Sequence, residues 1–309
     1  MAGITNGRPD LAVGEPIHFG DIDGFELEHH PISDRLIIRD TENGTVAYVR
    51  GDRGGEIGGD GVLIKALKEG KPMADDGRTH DSIQAAERAA SSWVFVPPGN
   101  YEESVEITTD GLTLRGSGYN TLIDGSTNGS AVSASANNVT VKNVSVQTDV
   151  PDGDNALVGV GSNLEVINVA VSQSGNSGIT IGSENASIIN CTINSCDANG
   201  FSSGANGIVV NGCIIDSVGR NGVNSLSGSN YIISNNLITN TELDGVYKGS
   251  ENNIIIGNRI INTSNGVGIV PGSINNIVAN NRVSDSTNTD INDQGTNTIL
   301  DGNLTDPSN

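Results

Sequence analysis

Arg220, Glu242, Asp244, Tyr247 and Lys248 concentrate two bases, two acids and an aromatic ring in one short stretch of this sequence. Cations, carboxylates and a ring gathered at one place can bind the hydroxyls and the apolar face of a sugar. Arg259 and Arg282 add two guanidinium groups, which repel if stacked unless an anion or carboxylate lies between them. These seven are the candidate glycan-binding residues, with a solvated face of local ion pairs as the plain alternative. Asp285 and Asp306 form a second candidate. On successive turns of a repeat they would stand about 5 Å apart, a spacing that suits a retaining glycosidase pair or a cation site. They read better as turn residues, so no catalytic residue and no metal site is assigned.

Other reactive types are sparse or misplaced. The four His are His18, His29, His30 and His80, all ahead of the region that repeats, which excludes a catalytic His on the repeats of this chain. His29 and His30 are adjacent, and adjacent residues of a strand point to opposite faces. Cys191, Cys196 and Cys213 fit no zinc spacing and no disulfide framework, and read as small buried hydrophobes. The Gly-rich loop 51–61 lacks the Gly-Lys-Ser/Thr of a phosphate loop, so no cofactor is expected. Asn-x-Ser/Thr sequons, among them Asn43, Asn128, Asn138, Asn185 and Asn262, follow from the abundance of Asn.

The elements that must position these residues come from repetition. Of 38 Asn, 35 lie after residue 110, which marks where the repeats begin. Aligning short β-branched stretches on their closing apolar residue gives the column Val146, Val171, Ile193, Ile214, Ile238, Ile260, Val283, Leu304. The steps are 25, 22, 21, 24, 22, 23 and 21 residues, and Ile193, Ile214, Ile238 and Ile260 are expected to stack as one buried column. Three residues earlier runs Asn143, Asn168, Asn190, Asn211, Asn235, Gly257, Asn280, Asp301, whose Asn side chains suit left-handed turns and can bond between layers. A further column pairs Gly with an apolar residue, as in Gly178-Ile179, Gly200-Phe201, Gly222-Val223 and Gly245-Val246. Each repeat thus holds about three short strands and has no room for a helix of about ten residues.

Two stretches precede the repeats. Residues 36–40 and 45–50 read as a hairpin across Asn43-Gly44, with Phe25–Glu28 as a third strand. Asp81 can cap a helix whose Ile83, Ala86 and Ala90 share one face, followed by Trp93-Val94-Phe95-Val96-Pro97-Pro98-Gly99-Asn100-Tyr101. A repeat of 21 to 25 residues with three strands, opened by that helix, strand and Pro-Pro-Gly-x-Tyr, resembles the pectate-lyase-like right-handed parallel β-helix family over residues 73–309. Within it, the opening segment is similar to that of viral tailspike and fibre proteins. The expected fold is therefore all-β: a right-handed parallel β-helix (73–309) with a capping helix, plus a small N-terminal β module (1–72) for anchoring or assembly.

Composition restricts partners. The net charge of −21 disfavours nucleic acid, and no run approaches the length of about 18 apolar residues that a membrane span needs. An acidic surface with only 5 Lys among 16 basic residues resembles that of proteins from salt-loving archaea. The first ten residues carry no signal-peptide pattern. The resemblance implies a virion appendage, such as a tail fibre, tailspike or capsid spike. Such a protein would join other virion proteins through residues 1–72, meet a host glycan or glycoprotein, and form a homo-oligomer, a trimer by resemblance. The competing expectation is a polysaccharide lyase or glycoside hydrolase on the same scaffold.

Overall fold

The computed structural model describes residues 25–30, 35–40, 46–50, 66–67, 69–126, 129–148 and 153–305. The Asn43-Gly44 turn, the Gly-rich loop 51–61, the Asn128 sequon and Asp306 lie outside the described residues. By its internal contacts the chain divides into residues 1–64 and 65–309. In the first unit, β1 (Phe25–His30), β2 (Arg35–Asp40) and β3 (Val46–Arg50) form an antiparallel sheet in that order. Phe25 pairs with Asp40, and Arg35 with Arg50. Both the hairpin and the third strand read from the sequence are present.

The second unit is a parallel β-solenoid of about nine coils. Each coil contributes a strand to three faces. The first face includes Val209–Asn211, Ile232–Ser234, Ile254–Ile256, Ile277–Ala279 and Ile299–Asp301. The second includes Ile214–Val218, Leu237–Thr241, Arg259–Ile261 and Arg282–Ser284. The third includes Phe201–Ser203, Val223–Ser225, Val246–Lys248, Asn265–Ile269 and Thr289–Asp293. Strands this short alternate strictly, so the middle or the two end residues of each face inward.

The core is a set of in-register aliphatic columns. Val146, Val171, Ile193, Ile215, Ile238, Ile260 and Val283 pair coil to coil. All are at most 1% exposed. Ile215, not Ile214, holds the column; Ile214 points outward and is 44% exposed. Leu304 is also outside it, 67% exposed and bridged to Arg282. The cause is the turn. The left-handed position is filled by Asn143, Asn168, Asn190, Gly212, Asn235, Gly257, Asn280 and Gly302. Gly212, rather than Asn211, and Gly302, rather than Asp301, take that backbone, which moves each following strand by one residue.

Gly212 illustrates why the position is selective. Its φ is +67°, and a Cβ there would stand 2.5 Å from Asn190 Oδ1. Gly212→Val is therefore expected to cost about 2 kcal/mol, and Gly212→Asn less than half of that, because Asn tolerates left-handed backbone. Urea unfolding of the two variants measures the difference; equal losses would mean that crowding, not backbone, governs this turn.

One residue after the left-handed column runs a buried ladder. Asn236 Nδ2 donates to Asn258 Oδ1 (2.9 Å), Asn258 Nδ2 to Asn281 Oδ1 (2.9 Å) and Asn281 Nδ2 to Asn303 Oδ1 (3.0 Å). Each acceptor also takes a backbone N–H from the coil before it. Buried amides satisfied in this way can replace aliphatic packing. Cys191 and Cys213 occupy the same line earlier in the stack, and both are buried and free, as is Cys196.

A helix, α1 (Ile83–Ala89), packs Ile83 and Ala86 into the first coils. Its cap is Ser82, whose Oγ accepts from Ala85 N at 3.0 Å. Asp81, expected as the cap, instead pairs with Lys71 Nζ at 2.6 Å. The Glu103 carboxylate accepts from Ile83 N and Gln84 N, satisfying two further first-turn donors.

Candidate functional site

On the third face the outward residues run Thr180, Ser202, Asn224, Tyr247, Gly268, Asn292 in register. The column is polar and uncharged, a surface of hydroxyl and amide groups broken by one ring and one glycine. Tyr247 is half-buried because its neighbours Val246 and Lys248 both turn inward. Where Gly268 follows Tyr247, the missing side chain opens a groove of about 410 Å³. Arg220, Asp244, Tyr247, Asn265, Asn292 and Gln294 line it. A Cβ on Gly268 would come 2.3 Å from Asp244 Oδ2 and 3.4 Å from the Tyr247 ring. Only glycine leaves that space.

Asp244 is held by a ladder of its own. Asn199 Nδ2 donates to Ser177 Oγ (3.3 Å), Asn221 Nδ2 to Asn199 Oδ1 (3.2 Å), Asp244 N to Asn221 Oδ1 (3.0 Å) and Asn265 Nδ2 to Asp244 Oδ1 (2.6 Å). Asp244 is thus an acid in a line of amides, only 7% exposed. Burial raises its pKa above the usual carboxylate value, and the bond from Asn265 opposes that rise. Oδ1 is engaged and Oδ2 lies over Gly268, so the carboxyl offers one oxygen to the groove.

The structure separates the seven candidate residues. Arg220, Asp244 and Tyr247 meet at the groove. Glu242 is exposed and lines a neighbouring groove of about 650 Å³ with Gln173, Asp197, Ser217 and Asn240. Arg259 and Arg282 are exposed and adjacent in register on the second face, away from Tyr247. Within 4.0 Å none of these bases pairs with an acid among the described residues; the ion pairs there are Lys71–Asp81 and His80–Asp76.

Lys248 is a correction. It points into the coil interior, fully buried, and cannot touch a surface glycan. Its Nζ donates to Gly228 O (2.6 Å), Ser225 Oγ (3.0 Å) and Ser225 O (3.3 Å), and sits 4.0 Å from the centre of the Tyr231 ring. Burial lowers its pKa to about 7 and raises that of the Tyr231 phenol. The alternation that turns Tyr247 outward necessarily turns Lys248 inward.

The remaining candidates fall outside the groove. Asp285 is an exposed turn residue with φ 57°, in the left-handed line of Ser195, Ser217, Asn240 and Asn262. His80 Nε2 stands 3.5 Å from Asp76 Oδ1, ahead of the coils. His29 and His30 are consecutive in β1. Among the described residues no three His, Cys, Asp or Glu gather as metal ligands, and no helix is long and apolar enough to cross a membrane. Sequence reasoning missed Asn265, Gly268, Asn292 and Gln294. Gly268 and Asn292 could have been found by continuing the Tyr247 column one and two coils onward.

Residues 154–305 match the family model described as right-handed beta helix region. That stretch of the chain is a right-handed parallel β-helix. No curated protein matches the chain. Among solved structures, it is similar to pectate lyase Pel9A, with 15% identity, coverage of 74% of each chain and a TM-score of 0.51. It is also similar to tailspike protein 2 of an Escherichia coli bacteriophage, with 9% identity, TM-score 0.51, and coverage of 91% of this chain and 42% of that one. The Dettilon tailspike protein matches at 16% identity and TM-score 0.48, over 69% of this chain and 49% of the other. The chain therefore spans about half the length of the tailspikes it matches. The similarities to Pel9A and tailspike protein 2 describe a shared fold.

Proposed function

We propose that this chain is a structural virion appendage protein whose β-helix presents the third face to a host surface glycan. The observation that carries the reading is the groove beside Tyr247: a ring, a guanidinium, a buried carboxyl and three amides converge on a gap that Gly268 leaves open. Such a set grips a sugar by its ring face and its hydroxyls. Tailspike protein 2 shares the fold and supports the virion reading. Residues 1–72 are the anchor to other virion proteins and 73–309 the projecting part. The acidic surface fits a particle of a halophilic host.

A polysaccharide lyase or glycoside hydrolase is the second reading, favoured by the raised pKa of Asp244, which suits a general acid. Against it, Asp244 is the one carboxyl lining the groove among the described residues, and glycoside hydrolysis ordinarily uses two.

The test is titration of the purified chain with host surface polysaccharide, with product analysis alongside. Tyr247→Ala is expected to weaken binding about tenfold, and Gly268→Val, which fills the groove, to abolish it. Product release by the parent that disappears in Asp244→Asn would replace the binding reading with the enzymatic one. Unchanged affinity in both groove variants would place recognition elsewhere.

A further inference from the structure

We propose that the outer surface of the first face is where two copies of this chain associate side by side, about a two-fold axis parallel to the coil axis. Its outward column is aliphatic for five consecutive rungs: Val209, Ile232, Ile254, Ile277 and Ile299, paired in register. Ile232 is 40% exposed and Ile299 57%. The companion outward positions on the same strands are Asn211, Ser234, Ile256, Ala279 and Asp301. On a chain of net charge −21, these five rungs carry a single charge, Asp301 at the last. A contiguous, uncharged aliphatic strip on so acidic a surface marks a contact.

The edges of the face identify the occupant. Glu251, exposed, lies in the turn that leads into the strand Ile254–Ile256. Arg259, also exposed, begins the strand just after it, with Arg282 stacked on Arg259. On this coil the edge before the strand therefore carries an acid and the edge after it a base, at the same height in the coil stack. A two-fold axis parallel to the coils keeps heights and exchanges edges, so Glu251 meets the partner's Arg259 and Arg259 meets the partner's Glu251. An in-plane axis perpendicular to the coils would set acid edge against acid edge. The strip is self-complementary in one arrangement only, and a second copy supplies it. The two stacked arginines, which lack a carboxylate partner of their own among the described residues, gain one there.

Five rungs make a patch about 20 Å tall. That is at the small end for a stable contact, so the pair forms in a concentration-dependent way. A two-fold pair on this face takes the place of the trimer that the resemblance implies. It is independent of the groove, which opens on the third face.

Sedimentation velocity of the full chain over about 5 to 200 µM tests it. The average mass is expected to rise from one 31.8 kDa chain toward two. Ile232→Lys with Ile277→Lys is expected to hold the chain monomeric throughout, with an unchanged circular dichroism spectrum because both side chains point outward. Glu251→Arg and Arg259→Glu alone are each expected to weaken the pair about tenfold, and together to restore it to within about threefold of the parent. These exposed reversals also serve if the lysine variant fails to fold. A parent that stays monomeric, a trimer, or a double reversal no better than either single one overturns the proposal. Glycan titration of the same variants keeps it distinct from the groove: loss of pairing with retained glycan binding bears on the first face alone.

Discussion

Ile238→Asp is expected to unfold the β-helix. Ile238 is fully buried between Ile215 and Ile260 in a column that runs through the coils from Val146 to Val283. Removing its apolar contacts costs roughly 3 kcal/mol, and a carboxylate at that point adds several more, since none of its column neighbours can donate a hydrogen bond. The sum rivals the whole stability of a typical domain. Ile214→Asp is the matched control. It sits one coil earlier at the outward position, 44% exposed, and is expected to change stability by less than about 0.5 kcal/mol. Thermal unfolding followed by circular dichroism separates the two. If both variants melt alike, the column register described above is wrong.

That contrast shows how far the sequence could be read. Repetition betrays the fold because every coil repeats the same inward positions, and a β-branched column at intervals of about 22 residues is hard to produce otherwise. The error of one residue at Ile214 has a local cause. Five other aligned Asn invite Asn211 into the left-handed column, but Gly212 beside it adopts that backbone more readily and does so. Doubled amides such as Asn235-Asn236 hide the same ambiguity, for one member takes the turn and the other enters the buried ladder. Composition cannot tell the two apart; register can.

The site was legible to the extent that it obeys alternation. Tyr247 points outward by the alternation of its strand, and Arg220 and Asp244 reach it from the one turn that precedes this face, on successive coils. Lys248 was grouped with them by charge, although its spacing of two from Val246 puts it on the inner side. Asp244 looks like one more surface acid until the amide line Ser177, Asn199, Asn221 is traced to it and on to Asn265. What made the groove unreadable is that it depends on an omission, the side chain that Gly268 lacks, and on residues two coils apart.

Lys248 gives the second large effect, and its sign follows from proton binding. The unfolded chain holds the ammonium up to pH about 10.5, whereas the folded chain releases it near pH 7 because the coil interior desolvates the charge. Between those values the unfolded state binds the extra proton, so the contribution of Lys248 to stability rises with pH across that window. Below pH 7 the folded protein bears the full cost of a buried charge, roughly 5 kcal/mol. Three oxygen acceptors and the Tyr231 ring hold the group in place, but no carboxylate joins them. Lys248→Met keeps the length of the side chain and removes the titration. At pH 6 it is therefore expected to be more stable than the parent, and by pH 10 most of that advantage should be gone, because the parent then buries a neutral amine. Urea unfolding of both proteins at steps from pH 6 to 10 measures the gap. The difference between the two curves isolates Lys248 from the general repulsion that a chain of net charge −21 develops as pH rises. Parallel curves would mean that the hydroxyl, the two carbonyls and the ring hold the ammonium as well as water does, and that the interior of this coil accommodates a charge at no cost.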